Sequence, residues 1–227
     1  MIDDQGPSLD GRVVVVAGGT GFVGGFVVRA LIGAGARVIV PTRRGTAIGP
    51  GSQRPVPEGV LVVPIPSWAD PAEIGAAAQH HGWQPDAAVV SLGGWWLGGR
   101  LVDLSPSEWD GLLGDHLTSH FLAARALVPL ISGGRDPVYM TLNGAASREP
   151  MARSGPVSIA GAGQRMLLDV LRREDGGVRF HEVCVRTAVA GDDRNLDPAT
   201  EVTGDQVADA VLRVLAEPTC PHEVDVG

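Results

Sequence analysis

Directly after an apolar run, Val13 to Ala17, the chain reads Gly18-Gly19-Thr20-Gly21-Phe22-Val23-Gly24, and an amphipathic helical pattern follows. The G-x-x-G-x-x-G spacing of Gly18, Gly21 and Gly24 suits a turn that holds a dinucleotide. Missing side chains permit the tight turn, let main-chain N–H groups approach a pyrophosphate and bring helix close to strand. A purely structural glycine turn has the same composition; the strand before it and the helix after it favour binding. A second apolar run, Val38 to Val40, ends in Pro41-Thr42-Arg43-Arg44, where proteins that prefer NAD place an acid for the ribose hydroxyls. No acid stands there, and the guanidinium groups of Arg43 and Arg44 suit the 2′-phosphate of NADP. NADP(H) is the expected cofactor. Gly93 opens a glycine-rich stretch to Ser105 that carries Trp95 and Trp96. Gly93 is expected beside the cofactor, and the two tryptophans over a flat substrate or the nicotinamide ring.

Such residues need strand ends to hold them. Apolar runs predict seven strands, at Val13–Ala17, Arg37–Val40, Val60–Pro64, Ala87–Leu92, Val138–Leu142, Phe180–Val185 and Glu223–Val226. Helical periods lie between them. The first helix has Phe22, Phe26, Val27, Ala30 and Leu31 inward and is closed by Gly33 and Gly35. A second runs from an Asp70-Pro71-Ala72-Glu73 capping signal to about His81. The longest, from Pro106 to Ile131, would bury Leu113, Leu117, Phe121, Ala124 and Val128. A fourth spans Ser158 to Arg173 with Ile159, Met166, Leu167, Val170 and Leu171 inward, and the last runs from Thr203 to Ala216. Gly45 to Gly59 and Gly93 to Ser105 read as loops. This alternation predicts an α/β fold, a Rossmann-type doubly wound parallel sheet of about seven strands with helices on both faces, in one domain over residues 1–227.

Composition narrows the chemistry. The net charge is −8, which removes the attraction that nonspecific nucleic-acid binding needs. All 18 basic residues are arginine, so a lysine Schiff base or a P-loop lysine is excluded. Cys184 and Cys220 cannot form a four-ligand zinc site. No basic leader or bilayer-length apolar run occurs, so a cytoplasmic protein without membrane contact is expected. The arginine-only, Ala-, Gly- and Pro-rich composition suits a GC-rich bacterial genome.

With these features together, the chain resembles the short-chain dehydrogenase/reductase superfamily over nearly its whole length. Its glycine loop is similar to that of extended and atypical members, and Ser107 to Phe121 resembles the long helix of the main subfamily. The resemblance implies a homodimer or homotetramer formed through that helix and the next, and a catalytic set of Asn, Ser, Tyr and Lys. Here Ala160 stands for the tyrosine and Gln164 for the lysine, which places Gln164 at the cofactor. Asn143 or Gly144 stands for the serine and His116 for the asparagine, and Thr187 and Ala188 replace a proline-glycine pair. The sole tyrosine, Tyr139, falls inside a strand and reads as core.

His116 is then the leading proton carrier, since imidazole exchanges protons near neutral pH; a histidine hydrogen-bonded in the core is the other reading. His116 and His120 have the spacing of a metal pair, yet no third ligand is evident, and no metal is expected. His80 and His81 read as solvated. Asn143 could donate to a carbonyl oxygen or simply end a strand. Arg148 and Arg153 could pair with an anionic group of a small-molecule substrate or face solvent. The implied function is an NADP(H)-dependent oxidoreductase with a substituted active site, acting on a small carbonyl or hydroxyl compound. The alternatives are a non-redox cyclase, dehydratase or isomerase, and a catalytically silent NADP-binding regulator.

Overall fold

Seven short runs rich in Val, Ile and Ala form one parallel sheet in the order β3-β2-β1-β4-β5-β6-β7. They are β1 (Val13–Ala17), β2 (Arg37–Thr42), β3 (Val60–Pro64), β4 (Ala87–Val90), β5 (Val138–Gly144), β6 (Arg179–Val185) and β7 (Glu223–Val226). The computed structural model describes residues 7–43, 56–191 and 201–227. The central strands β1 and β4 are buried along their whole length, which explains why their sequences are apolar throughout rather than alternating. Helices α1 (Phe22–Gly33) and α6 (Gly204–Ala216) cover one face. Helices α2 (Ala72–His80), α4 (Ser119–Ile131) and α5 (Gly155–Glu174) cover the other, with α3 (Pro106–Leu113) leading into α4. The sheet grows from β1 outward to β3 and then crosses to β4 on the opposite side. The strand order therefore reverses between β1 and β4, and a crevice opens beyond their carboxyl ends. Among the described residues no helix is long and apolar enough to cross a membrane.

Reciprocal side-chain caps set two of the helix starts. At α3 the Ser105 hydroxyl accepts the Glu108 N–H at 3.2 Å, and Glu108 accepts the Ser105 N–H at 2.9 Å. Thr203 and Gln206 form the same reciprocal pair at α6. The corresponding cap at α2 does not form: the helix starts after Pro71 with no side-chain cap, because Asp70 bridges back to Ser67.

Two helix faces differ from the sequence expectation. The stretch from Pro106 to Ile131 is not one regular helix, since Gly114–Thr118 forms a π turn between α3 and α4. The wider turn shifts the register by about one residue, so His120 rather than Phe121 enters the core and Phe121 is 51% exposed. On α5 the inward face is Ala160, Gly161, Gln164 and Leu168, while Ile159, Met166 and Val170 face out. Leu167 and Leu171 are half-buried against the core. The reason is close approach: a Cβ on Gly161 would lie 2.9 Å from the Ser147 Cβ, so only small residues fit beneath α5 at this level. The stretch 45–59 expected to be a loop falls largely on residues 44–55, outside the described residues. The loop after β4 contains one short turn, Leu101–Asp103.

Candidate functional site

The turn between β1 and α1 is built by its glycines. Gly18 has φ +84° and a Cβ there would collide with the Ser91 carbonyl; a Cβ on Gly24 would collide with the Gly18 carbonyl. Gly19 is enclosed by Val28 and Val40 methyls, each 3.0 Å from where its Cβ would stand. Gly21 caps α1 in an extended conformation with no side-chain cap, and among the described residues no side chain is bonded to the N–H groups of the first turn. A cradle that a Cβ would fill, facing a helix N-terminus, fits a pyrophosphate.

A cleft of about 480 Å³ runs from Gly18 and Thr20 across the end of β2 to Trp95 and Trp96. Arg43 lines it, exposed and without an ion pair among the described residues; Arg44 lies outside them. Trp68, which sequence reasoning missed, closes its floor after β3; an aromatic just beyond a strand end was the available signal. Trp95 lines both this cleft and the cavity beside it, whereas Trp96 lines the cleft alone and packs over Gly98. The two tryptophans share the cleft, and of the two only Trp95 reaches the cavity.

The adjoining cavity, about 940 Å³, is entered past Phe22, Val23 and Gly24 and is walled by side chains such as Leu142, Met151 and Val157. His116 stands between cleft and cavity and contributes to both. Its Nδ1 lies 2.9 Å from the Leu112 carbonyl, and its Nε2 lies 2.8 Å from the Gly94 carbonyl and 3.2 Å from the Gly94 nitrogen. Gly93, at φ +87°, lies against the ring: a Cβ there would be 2.9 Å from His116 Cδ2. Buried Gln164 donates from Nε2 to the His116 main-chain oxygen, within the π turn, at 2.8 Å. Gln164 also lines the cavity, one turn after Ala160, whose methyl is fully buried.

Asn143 lines the cavity but its amide is committed inward. Nδ2 donates to the Gly161 carbonyl at 3.1 Å and to Glu182 at 2.9 Å, and Oδ1 accepts the Gly144 N–H. The oxyanion donor that the sequence suggests is thus spent on the fold. Arg148 also departs from expectation: it lines neither space and instead binds Glu182 at 2.9 Å, Glu223 at 3.2 Å and Asp225 at 2.9 Å. Glu182 is 1% exposed, and a carboxylate so deep requires such partners; Arg165 supplies another at 3.2 Å. Arg153 is exposed, and its Nε donates to the Gly98 carbonyl at 2.9 Å. With Gly98 N–H donating to the Arg153 carbonyl and the Ser154 hydroxyl to the Trp96 carbonyl, it ties the loop after β4 to the start of α5.

Two titratable groups nearby are core. His120 is fully buried, with Nε2 at 3.2 Å from the Leu92 carbonyl, and burial pulls its pKa down to about 4. Tyr139 packs on Phe180 with no hydrogen-bond partner, and burial pushes its phenol well above the ordinary value. His80 and His81 are exposed. Among the described residues no cluster of His, Cys, Asp or Glu could hold a metal ion. Ser91 and Thr187, from the ends of β4 and β6, also line the cavity. Neither was singled out as a site residue by sequence, and only adjacency of strand ends in the folded sheet reveals them.

The fold is one shared with solved short-chain dehydrogenases and oxidoreductases. Residues 14–92, from β1 through β4, match the NAD dependent epimerase/dehydratase family. No curated protein matches the sequence. Among solved structures, the chain is similar to the NADPH-bound short chain oxidoreductase from Pseudomonas aeruginosa PAO1 containing an atypical catalytic center. The TM-score is 0.80, with 18% identity over 97% of this chain and 96% of that one. It is similar to an alcohol dehydrogenase from the archaeon Thermococcus sibiricus complexed with 5-hydroxy-NADP, at TM-score 0.75 and 16% identity over 95% and 94% of the chains. A 3-oxoacyl-acyl-carrier-protein reductase with bound NAD from Brucella melitensis gives TM-score 0.77 and 16% identity, covering 97% and 91%. At these identities the likeness is one of fold.

Proposed function

We propose that the protein binds NADP(H) and is an oxidoreductase of the short-chain dehydrogenase/reductase type, acting on a small carbonyl or hydroxyl compound with His116 as its proton carrier. The observation that carries this reading is continuity: the glycine cradle opens into an apolar cavity, and His116 lines both that cavity and the adjoining cleft. Arg43 at the end of β2 favours a 2′-phosphate there, and the nucleotides named for the similar structures, NADP, NADPH and NAD, support a nicotinamide dinucleotide. Glycine-turn N–H groups hold the pyrophosphate and Trp95 covers the ring side of the cavity. The dinucleotide, when bound, supplies or takes up the hydride.

His116 is suited to the proton because its ring has partners in either charge state. Neutral, it donates from Nδ1–H to the Leu112 carbonyl and accepts the Gly94 N–H at Nε2. Charged, Nε2–H donates to the Gly94 carbonyl instead. A proton leaving Nε2 therefore does not strand the ring. Gln164 holds the main chain of the same residue in place.

A second reading, non-redox catalysis or silent cofactor binding, is favoured by the occupied state of the amides: Asn143 and Gln164 donate within the fold, and Ala160 has no proton to give. NADPH consumption, followed by loss of reduced-nicotinamide absorbance with a panel of carbonyl compounds, separates the two. Turnover that His116→Ala abolishes while NADPH affinity persists supports the first. Binding without consumption by any of the panel supports the second.

We further propose a cytoplasmic homodimer or homotetramer assembled through α4 and α5. Exposed Ile159, Met166 and Val170 share one stripe of α5, and Phe121 is exposed on adjacent α4.

A further inference from the structure

We infer that Arg186, at the end of β6, anchors a carboxylate of the substrate, so that the cavity selects carbonyl or hydroxyl compounds carrying an acid group beside an apolar body; this rests on the cavity being the substrate site proposed above. The sequence points to Arg148 and Arg153 for an anionic substrate, and the fold withdraws both. Arg148 is held by Glu182, Glu223 and Asp225, and Arg153 lies outside the lining with its Nε on the Gly98 carbonyl. Arg186 takes their place. Among the described residues it is the one arginine on the cavity wall, and no carboxylate faces it there, although the chain as a whole has a net charge of −8. A wall with a cation and no acid draws an anion into a space poor in water.

Strand alternation sets where the guanidinium stands. Arg186 follows β6 directly, and its N–H still donates to the Val226 carbonyl at 2.8 Å, so the ladder with β7 continues through it. Glu182, Cys184 and Arg186 therefore share one face of the strand, the face on which Glu182 meets Arg165 of α5. Strands β4 and β5 lie between β6 and β1, and three strand spacings put the end of β6 about 14 Å across the sheet from the end of β1, where the glycine turn begins. The turn and the guanidinium can thus serve two different anions, a pyrophosphate and a substrate carboxylate.

The present partner of Arg186 is replaceable. Glu149 Oε1 accepts from Nη2, but the Glu149 side chain is 67% exposed, and an ion pair so open to water contributes little. The Cys184 thiol is its other neighbour and a weak acceptor. Arg148 differs: it pairs with buried Glu182 and cannot leave without stranding that charge. A ligand carboxylate offers two oxygens to the planar fork of Arg186, a bidentate match, while Leu142, Met151 and Val157 receive the apolar remainder. His116 lines the same cavity, within which the carbonyl of that molecule lies.

The test compares benzoylformate with isobutyrophenone, aryl ketones that differ by a carboxylate in place of an isopropyl group. Binding of each is measured by quenching of tryptophan emission, in protein free of nucleotide and saturated with NADPH. The native chain should bind benzoylformate at least about tenfold more tightly than isobutyrophenone, and Arg186→Leu should erase that preference while NADPH affinity stays within about twofold. Arg186→Lys, which keeps the charge without the fork, should retain a reduced preference, and it decides the matter if Arg186→Leu does not fold. Isobutyrophenone binding equally or better, no binding of benzoylformate to either form, or a preference undiminished in the Arg186 variants overturns the inference. So does a loss of NADPH affinity in Arg186→Leu with the preference intact, which would give the cation to a nucleotide phosphate. Failure of the native chain to bind NADPH overturns the cofactor reading instead, and the comparison in nucleotide-free protein still decides what Arg186 holds.

Discussion

Gln164 on α5 donates a 2.8 Å hydrogen bond to the main-chain oxygen of His116, at the π turn that joins α3 to α4. One residue thereby holds the backbone of a side chain that bonds Gly94 and lines both the cleft and the cavity. Gln164→Leu keeps the volume but removes a buried side-chain donor from the His116 carbonyl. It should cost about 1–3 kcal/mol of stability, read from denaturant midpoints, and should shift tryptophan emission as the Gly93–Trp96 loop loosens. Gln164→Glu, which sets a carboxylate against a carbonyl oxygen, should be at least as damaging. Unchanged stability in both variants would remove this structural role.

Gly24→Ala tests the cradle. The added Cβ meets the Gly18 carbonyl rather than a flexible side chain, so the turn must open to admit it. Nucleotide affinity should fall at least about tenfold, while the far-ultraviolet circular dichroism keeps its α/β shape. Gly33→Ala, at a position with open space around it, is the matched control and should leave affinity unchanged.

Arg43→Ala tests cofactor choice. With no ion pair among the described residues, this guanidinium is available to a 2′-phosphate. NADPH affinity should drop about tenfold or more and NADH affinity change little; equal losses would contradict the assignment.

Acid should weaken the fold through His120 and through His181, which is buried in β6 with Nδ1 2.8 Å from the Pro221 carbonyl. Burial holds both near pKa 4 against an unfolded value of 6.5, so below that value the unfolded chain binds protons that the folded chain does not. Their contribution is complete above about pH 6.5 and is lost as pH falls through the folded value, by at most roughly 3 kcal/mol each. The urea midpoint should fall between pH 6.5 and 4, and His120→Gln should flatten part of that decline. A midpoint constant across this window would contradict it.

The sheet was legible because β1, β4 and their neighbours are unbroken apolar runs, and the glycine turn because its spacing reflects backbone packing alone. Helix faces were less so. Helix α5 carries two apolar stripes, and periodicity cannot say which one meets the sheet when Gly161 and Ala160 leave room for close approach. The register shift at Gly114–Thr118 has no marker in side-chain pattern, so Phe121 was placed inside. Site residues were legible by position and not by partner. Asn143, Arg148 and Gln164 stand near the crevice as expected, yet what each binds depends on Glu182 and the π turn, contacts made across long sequence separations.

Isothermal calorimetry of the purified chain with NADPH and, separately, NADH is the most direct measurement. Saturable heat at one nucleotide per chain, with NADPH the tighter ligand, is the result predicted by the glycine cradle and Arg43. No heat with either nucleotide would contradict it.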